Sequence, residues 1–328
     1  MILLLACVAT VPSLPSEPVD SEQRLDSEPI DSEDTGYTPD EYDCDDLPDF
    51  NLGSEVLDHA RGYHGNAFDD EGNIIGWDPE RDALVKASYD GDSNTWLPGL
   101  TSVEQITRNS AGDLYFVDSS RAAVFRVTPE GGQERLTGGL LSGYGITFGP
   151  DGMLYVSDGN VVRIDPETGD KETIVKMPDG GNSWTAHAVD WNLDSTRLYI
   201  ATVPYGDLLQ VELDENLDPI GEPEMLLRLP GYWLDAVRVD ACDNLWVAEF
   251  AELSLYRIND RGEWDEMVDG DRSRYYGHGI VWGTGHDGWR ADALYQPLPY
   301  NSSKVQEVII GVPDGNTVRT WKGEPVEY

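Results

Sequence analysis

Residues 144–158 read YGITFGPDGMLYVSD and hold the pattern that decides the fold. A polar residue precedes a short apolar run, an Asp-Gly turn follows, and a second apolar run completes the unit. Two short apolar runs separated by turn residues predict a pair of antiparallel β-strands. The second run, LYV, is apolar without alternation, which is typical of a strand buried on both faces.

The same unit occurs six times along the chain. The copies are HGNAFDDEGNIIGWD from His64, EQITRNSAGDLYFVD from Glu104, YGITFGPDGMLYVSD from Tyr144, HAVDWNLDSTRLYIA from His187, DAVRVDACDNLWVAE from Asp235 and HGIVWGTGHDGWRADALY from His278. Their first residues are 40, 40, 43, 48 and 43 positions apart. Two further apolar runs follow each copy, as in residues 161–164 and 173–175. Four short strands per period of this length indicate propeller blades. We predict an all-β fold, a six-bladed β-propeller over residues 51–328, and leave open which strand closes its circle.

The opening residues of the six copies form the most informative set in the sequence. The first strand of each propeller blade lines the central channel, so equivalent positions are expected to form a ring. The six members, which we call the ring, are His64, Glu104, Tyr144, His187, Asp235 and His278. The chain has five histidines and three of them occupy this one position. The three imidazoles and one carboxylate, His64, His187, His278 and Asp235, are ligands that suit a late divalent metal.

Parts of the sequence resemble known propellers. The stretch GITFGPDGMLYVSDGNVVRIDPETG is similar to NHL repeats, and LDAVRVDACDNLWVAE resembles the senescence-marker-protein/gluconolactonase family, with Asp235 at the position of a metal-binding aspartate. The resemblance covers roughly residues 51–328 and implies a lactonase-type metal enzyme. That family holds its metal with Glu, Asn and Asp, whereas His64 and His187 stand at the other two positions here. Three histidines in a six-bladed propeller are also similar to the zinc site of peptidyl-hydroxyglycine lyases, and histidine with glutamate at the channel mouth resembles streptogramin B lyases.

We therefore expect a divalent metal, with zinc first, iron or manganese as alternatives, and calcium less favoured because it prefers oxygen ligands. The expected chemistry is hydrolysis or elimination on a small molecule, in which Glu104 or Tyr144 handles protons. Simpler interpretations stay open: ring histidines can cap strands, Tyr144 can be a packed aromatic, and Glu104 a solvated carboxylate. The alternative function is a non-catalytic propeller that binds a protein, peptide or glycan.

Other residues carry weaker signals. His286 is expected on a turn at the opposite face of the propeller, and His59 is expected to be structural. Trp184 and Trp233 lie close enough to ring positions to wall a ligand pocket. No serine-hydrolase elbow, phosphate loop or His-Glu-x-x-His motif occurs in the sequence.

The charge is extreme, with a formal net charge of −40 at pH 7. Such self-repulsion favours solubility and disfavours nucleic acid, so nucleic-acid binding is excluded and a monomer is expected. Residues 8–50 are acidic and poor in aromatic residues, which predicts a disordered, extended linker.

The first seven residues end in Leu4-Leu5-Ala6-Cys7, which resembles the lipobox of bacterial lipoproteins, although no basic residue precedes the short apolar run. Residues 1–7 would then be a lipoprotein signal, with Cys7 lipidated and the protein held at the bacterial cell envelope only by its lipid. An ordinary apolar start is the alternative. In an oxidising compartment Cys44 and Cys242 would pair, although two unrelated thiols are also possible.

Overall fold

Six four-stranded antiparallel sheets follow one another along the chain, as the repeats predict. The computed structural model describes residues 42–48, 52–178, 184–251, 254–259, 261–268 and 277–326. Blades 1 to 3 comprise β2–β5 (Asn66–Phe68, Asn73–Asp78, Ala83–Ser88, Ser93–Pro98), β6–β9 (Ile106–Arg108, Leu114–Asp118, Ala123–Val127, Gln133–Gly138) and β10–β13 (Gly143–Phe148, Leu154–Asp158, Asn160–Ile164, Lys171–Val175). Blades 4 and 5 comprise β14–β17 (Thr185–Trp191, Arg197–Val203, Asp207–Glu212, Glu224–Arg228) and β18–β21 (Leu234–Val239, Leu245–Glu249, Ser254–Ile258, Trp264–Val268). The predicted six-bladed β-propeller is confirmed.

Blade 6 is built from both ends of the described chain. Its inner strands are β22 (Val281–Trp282), β23 (Ala293–Leu298) and β24 (Lys304–Ile309), and its outermost strand is β1 (Ser54–Leu57). β1 pairs antiparallel with β24, so that Ser54 lies opposite Val308 and Leu57 opposite Val305. This pairing closes the circle, because the first strand of the propeller completes its last blade.

The core lies between neighbouring blades. The second strands are buried along most or all of their length, and LYFVD of β7 and LYVSD of β11 are buried throughout. Large aromatics fill the gaps between blades: the rings of Tyr155 and Trp191 meet edge to face with centroids 4.7 Å apart, and Trp191 is fully buried. Each fully buried large apolar side chain contributes roughly 1.5–3 kcal/mol relative to exposure. The non-alternating apolar runs of the sequence therefore have their physical reason in burial on both faces.

A segment that we call the C-terminal strap, residues 310–325, crosses the end of the channel opposite the ring. It contains a short 3-10 helix (Gly315–Thr317) and a small hairpin, β25 (Thr320–Trp321) with β26 (Glu324–Pro325). The Trp282 indole donates to the Val312 carbonyl at 2.9 Å, and Ala241 N donates to the Pro313 carbonyl at 3.0 Å. The strap thus joins blades 4, 5 and 6 from below.

Arg319 anchors the strap beneath blade 4. Its guanidinium is 1% exposed and lies 2.9 Å from Asp190 Oδ1, and it donates to the Trp191 carbonyl at 2.7 Å. Asp190 Oδ2 in turn accepts from Val239 N at 2.8 Å. One buried ion pair therefore connects the strap to the inner strands of two blades.

Residues 42–48 also pack on the propeller, although the sequence places them in the linker. A disulfide joins Cys44 to Cys242 with the Cα atoms 5.6 Å apart, as expected. Tyr42 and Leu47 pack against the apolar cluster of blades 5 and 6, and the Pro48 carbonyl accepts from Arg257 at 2.9 Å. The linker up to residue 41 and the lipobox with Cys7 lie outside the described residues. Across the described ranges, no helix has the length and apolar character that a membrane crossing requires.

Candidate functional site

The ring forms where the innermost strands begin, at one face of the propeller that we call the ring face. Small residues follow several ring residues, and they let adjacent blades approach at this level. A Cβ on Gly145 would lie 2.4 Å from the His187 carbonyl oxygen, and one on Gly279 would lie 2.6 Å from that of His64. Gly279 N donates to the same His64 carbonyl at 3.0 Å. The Gly after the ring residue therefore draws neighbouring blades together and brings the ring side chains into contact.

Asp235 lies between two imidazoles. Its Oδ1 is 3.1 Å from His187 Nδ1 and its Oδ2 is 2.8 Å from His278 Nδ1, while the residue is 1% exposed. His278 is 5% exposed, and its Nε2 is buried without a hydrogen-bond partner among the described residues. One carboxylate thus lies within ion-pair distance of both histidines, although neither Asp235 Oδ2 nor His187 Nδ1 makes a well-aligned hydrogen bond among the described residues, and a buried nitrogen of His278 is left for another group.

His64 and Glu104 form a second carboxylate–imidazole pair. His64 Nδ1 contacts Glu104 Oε2, while the other Glu104 oxygen accepts from the Ser119 hydroxyl and from that of Ser102 at 3.3 Å. Burial raises the pKa of Glu104, but the contacts with His64 and the two serines outweigh it, so that its pKa lies below the usual value. Glu104 is therefore ionised at neutral pH and positions His64.

Tyr144 connects the two pairs. Its hydroxyl is 3.0 Å from His278 Nδ1, its ring stacks on His187 with centroids 3.6 Å apart, and its centroid is 5.2 Å from that of His64. His64 also stacks on His278 at 4.7 Å. All six ring residues are therefore brought together by direct contacts, as the sequence indicates.

The environment sets the charges of the ring. Burial raises the pKa of Asp235, but His278 and His187 outweigh it and hold it well below its usual range. Burial lowers the pKa of His278, although the charge of Asp235 opposes this shift. Burial, together with the charges of Asp235 and Glu104, raises the pKa of Tyr144 far above its usual range. At neutral pH the site has two carboxylates, a neutral His278 and a protonated Tyr144.

Side chains bridge the blades below the ring. Gln105 of blade 2 reaches across and donates from Nε2 to the Asp235 carbonyl at 3.0 Å. Deeper in the channel, Arg238 of blade 5 donates to the Thr147 hydroxyl of blade 3 at 2.9 Å. We call the ring together with these bridging side chains the cup.

The ring residues include the four predicted metal ligands. Within the residues that the structure describes, no group of three or more His, Cys, Asp or Glu side chains has the arrangement needed to hold a metal ion. Imidazole and carboxylate donors are the right types for zinc. Asp235, however, lies between His187 and His278, and the Nδ1 atom of His64 contacts Glu104. The predicted four-ligand set is not formed in this structure, and the metal stays a prediction.

Aromatic side chains surround the cup, and the repeat pattern did not reveal them. Phe250 packs on His278 with centroids 4.3 Å apart, and it is flanked at 5.7 Å by Trp233 and by Tyr300. We call Trp233, Phe250 and Tyr300 the aromatic rim. Trp233 is 46% and Tyr300 63% exposed. A chain of aromatic rings thus leads from solvent to the buried His278.

A buried carboxylate fixes the rim. Glu249 is fully buried, and its Oε1 accepts from the backbone N–H groups of Tyr232, Trp233 and Ala251 at 2.8, 3.0 and 3.1 Å. Asp158 holds the corresponding loop of blade 3 in the same way, through Leu141 N and Ser142 N. Acidic residues at the ends of second strands were the sequence signal for these loops.

The remaining site predictions have mixed outcomes. Trp233 reaches the ring through Phe250, which packs on His278. The Trp184 indole donates to Asp207, and its side chain packs against the core cluster of blades 3 and 4. His286 is exposed on the turn between β22 and β23, at the face opposite the ring, and pairs with Asp287 at 2.8 Å.

The fold and the ring define a class: a six-bladed propeller with a cup of imidazoles and carboxylates at one mouth of its channel. No family model matches the chain, and no curated protein sequence matches it. Solved structures do match. A gluconolactonase from Xanthomonas campestris has 13% identity and a TM-score of 0.65, over 79% of this chain and 89% of its own. The calcium-binding protein regucalcin from Agrobacterium tumefaciens has 13% identity and a TM-score of 0.65, over 85% of this chain and 98% of its own.

A virginiamycin B lyase from Staphylococcus aureus also matches, with 18% identity and a TM-score of 0.54, over 80% of this chain and 100% of its own. At these identities the similarity shows the fold alone. The predicted resemblance to gluconolactonase-type propellers is confirmed at that level, and so is the likeness in fold to streptogramin-type lyases.

Proposed function

We propose that this protein is an enzyme that hydrolyses a lactone or ester, or eliminates across a small molecule, in the cup of the ring. The observation that carries the proposal is the arrangement around Asp235. One ionised, buried carboxylate lies 3.1 Å from His187 Nδ1 and 2.8 Å from His278 Nδ1, and Nε2 of His278 has no hydrogen-bond partner among the described residues. Structural histidines usually satisfy both nitrogens, whereas a buried unpaired nitrogen costs stability unless a ligand uses it. The gluconolactonase and lyase neighbours support the reaction classes.

The ring supplies a base and an acid for either reaction. Neutral His278, held by Asp235, takes a proton from water or from a carbon adjacent to a carbonyl. Tyr144 remains protonated and donates to the oxygen on which negative charge develops. In hydrolysis, water adds to the carbonyl carbon, the C–O bond between that carbon and the leaving oxygen breaks, and His278 returns the proton to the released alkoxide. In elimination, the C–H electrons form the double bond and the leaving group takes the proton. Glu104 acts as a positioning residue for His64.

The proposal includes a divalent metal, with zinc first and iron or manganese as alternatives. Its support is the donor chemistry of His187, Asp235, His278 and His64. Binding requires the contacts of Asp235 with the imidazoles to open, so the metal-bound form and the form in which Asp235 holds His278 as a base are alternative states of the site. When bound, such an ion would polarise a carbonyl or a water molecule. Elemental analysis of the purified protein, beside a His64, His187 and His278 to Ala variant, tests this part. Near-stoichiometric metal in the first only supports it, and none after incubation with each ion refutes it.

The activity is tested on a panel of lactones and esters. Acid release follows hydrolysis, and absorbance of a new conjugated double bond follows elimination. We expect turnover by the native protein and a loss of about 10²–10⁴-fold in His278→Ala, while His286→Ala keeps full activity because that histidine is exposed at the opposite face. If the native protein and His278→Ala give equal rates on every panel member, the catalytic proposal is wrong and the protein is a binding propeller for a protein, peptide or glycan.

We also propose that the protein acts at the bacterial cell envelope, lipid-anchored through Cys7. The Cys44–Cys242 disulfide supports an oxidising compartment. Expression with labelled palmitate should label the native chain and not Cys7→Ala. Equal labelling, or none in either, contradicts the anchor.

A further inference from the structure

One long side chain lies directly below the ring, at a repeat position that is otherwise small. In blade 2 the residue after the ring member is Gln105. In the other five blades the same position holds glycine or alanine, namely Gly65, Gly145, Ala188, Ala236 and Gly279. Glycine and alanine extend no further than Cβ. Gln105 is therefore the one member of this set whose side chain can cross the channel.

Gln105 joins its own blade to the blade on the opposite side of the channel. Blades 2 and 5 lie three apart in a circle of six, and Gln105 Nε2 donates to the Asp235 carbonyl at 3.0 Å. Gln105 is 7% exposed, and a hydrogen bond withdrawn from water is stronger than one in solvent. The bond therefore fixes the main chain of the residue whose carboxylate reaches His187 and His278.

The backbone of Gln105 is fixed as well. Its N–H donates to the Tyr144 carbonyl of blade 3 at 3.3 Å, and its carbonyl accepts from Val117 N at 3.3 Å. A Cβ on Gly65 of blade 1 would lie only 3.1 Å from the Gln105 Cα. Gln105 thus meets blades 1, 3 and 5 as well as its own, and these three blades carry three of the other ring residues.

We propose that Gln105 is a positioning residue of the ring, which holds the main chain of Asp235 so that its carboxylate reaches His187 and His278. Without the amide donor this strand end can shift, and a misplacement of about 1 Å at a reacting site can cost about 10²-fold in rate. The bond is made to the main chain, so it is compatible with both alternative states of the Asp235 carboxylate. The effect on rate rests on the proposed function, whereas the placement of Asp235 is measured without turnover.

The test compares two variants of Gln105 with the native full chain. Gln105→Met keeps nearly the same length and has no donor, so the channel stays filled while the bond to Asp235 is lost. Gln105→Asn keeps the amide but is one methylene too short to cross the channel. Gln210→Met is the matched control, because Gln210 Nε2 donates to Glu224 Oε1 at 2.9 Å on the two outer strands of blade 4.

The first measurement is a long-range proton–nitrogen NMR spectrum of the imidazoles at one fixed pH, assigned with single histidine substitutions. We expect both Gln105 variants to move the signals of His187 and His278, because Asp235 lies beside both rings. The signal of His286, which is exposed at the opposite face, should stay in place. Gln210→Met should move none of the three.

The second measurement is the kinetics of a panel compound that the native protein turns over, well below the melting temperature of each variant. We expect kcat to fall by about 10–100-fold in Gln105→Met. KM should change by less than about twofold, because the amide places the base and not the substrate. Gln210→Met should keep the native kcat.

The outcomes separate this inference from the proposed function. Unmoved His187 and His278 signals in both Gln105 variants, or a native kcat in Gln105→Met, overturn the inference. Moved signals with no turnover of any panel compound by the native protein leave Gln105 as the residue that places Asp235 and remove the catalytic proposal. Turnover that is lost in His278→Ala but kept in Gln105→Met leaves the catalytic proposal and removes the inference.

Discussion

Replacing Arg319 by methionine removes one half of the ion pair that anchors the C-terminal strap. Arg319 and Asp190 have side chains that are 1% and 2% exposed, so their charges are almost fully withdrawn from water. Without the guanidinium, Asp190 remains as a buried carboxylate that has lost its ion-pair partner. Breaking a buried pair from one side costs about 3–5 kcal/mol. For a propeller of this size each kcal/mol lowers Tm by roughly 2–4 °C, so the expected fall is about 6–20 °C.

The assay is thermal unfolding at pH 7 with the disulfide intact, followed by circular dichroism. The double variant Asp190→Asn, Arg319→Met is its control, because it removes the uncompensated charge while an amide oxygen can still accept from Val239 N. We expect the double variant to melt above Arg319→Met. A single-variant Tm within about 2 °C of the native value, or a double variant less stable than the single, would refute the assignment of a buried, mutually dependent pair.

Three further predictions concern stability. Burial raises the pKa of Asp314 to about 6, so the folded protein binds this proton more tightly than the unfolded chain and loses stability as the pH rises from about 4 to 7. Asp314→Asn cannot lose a proton, so its Tm should rise relative to that of the native protein over this range. A constant difference in Tm contradicts this prediction. Reducing the Cys44–Cys242 bond, which spans 198 positions, should cost about 2–5 kcal/mol in urea unfolding, and an unchanged midpoint argues against this. Gly145→Ala should cost about 1–3 kcal/mol because of the close His187 carbonyl, whereas Gly53→Ala, which has open space, should be neutral; equal effects would be inconsistent with the close approach.

The repeat pattern predicted the six blades and the ring because both depend on periodic inner positions. It did not identify β1, because SEVL is a four-residue edge strand that has no copy of the unit around it, and its partner lies at the other end of the chain. The strap was missed for the same reason: residues 310–325 belong to no repeat. A repeat pattern identifies only elements that recur, whereas β1 and the C-terminal strap each occur once in the chain.

Within the site, the repeat alignment predicted which residues form the ring but not which of them contact each other. The strand alignment places Glu104 and Asp235 at equivalent positions, and only the relative rotation of the blades decides that Glu104 holds His64 while Asp235 lies between His187 and His278. In the proposed function, that pairing makes Glu104 a positioning residue for His64, and the general-base role that the sequence also allows stays a prediction. The aromatic rim lies on loops between repeats, where Tyr300 has no counterpart to align with.

The closure of blade 6 also has a consequence for biosynthesis. Leu57 leaves the ribosome early, yet its partner Val305 is made about 250 residues later, which at roughly 5–20 residues per second is a delay of about 10–50 s. Throughout that interval the first strand of the propeller has no place to pair, and the growing arc ends in an open sheet edge. A chain that stops before residue 304 lacks β24, so β1 has no strand to pair with and the blades already made cannot be closed into a circle.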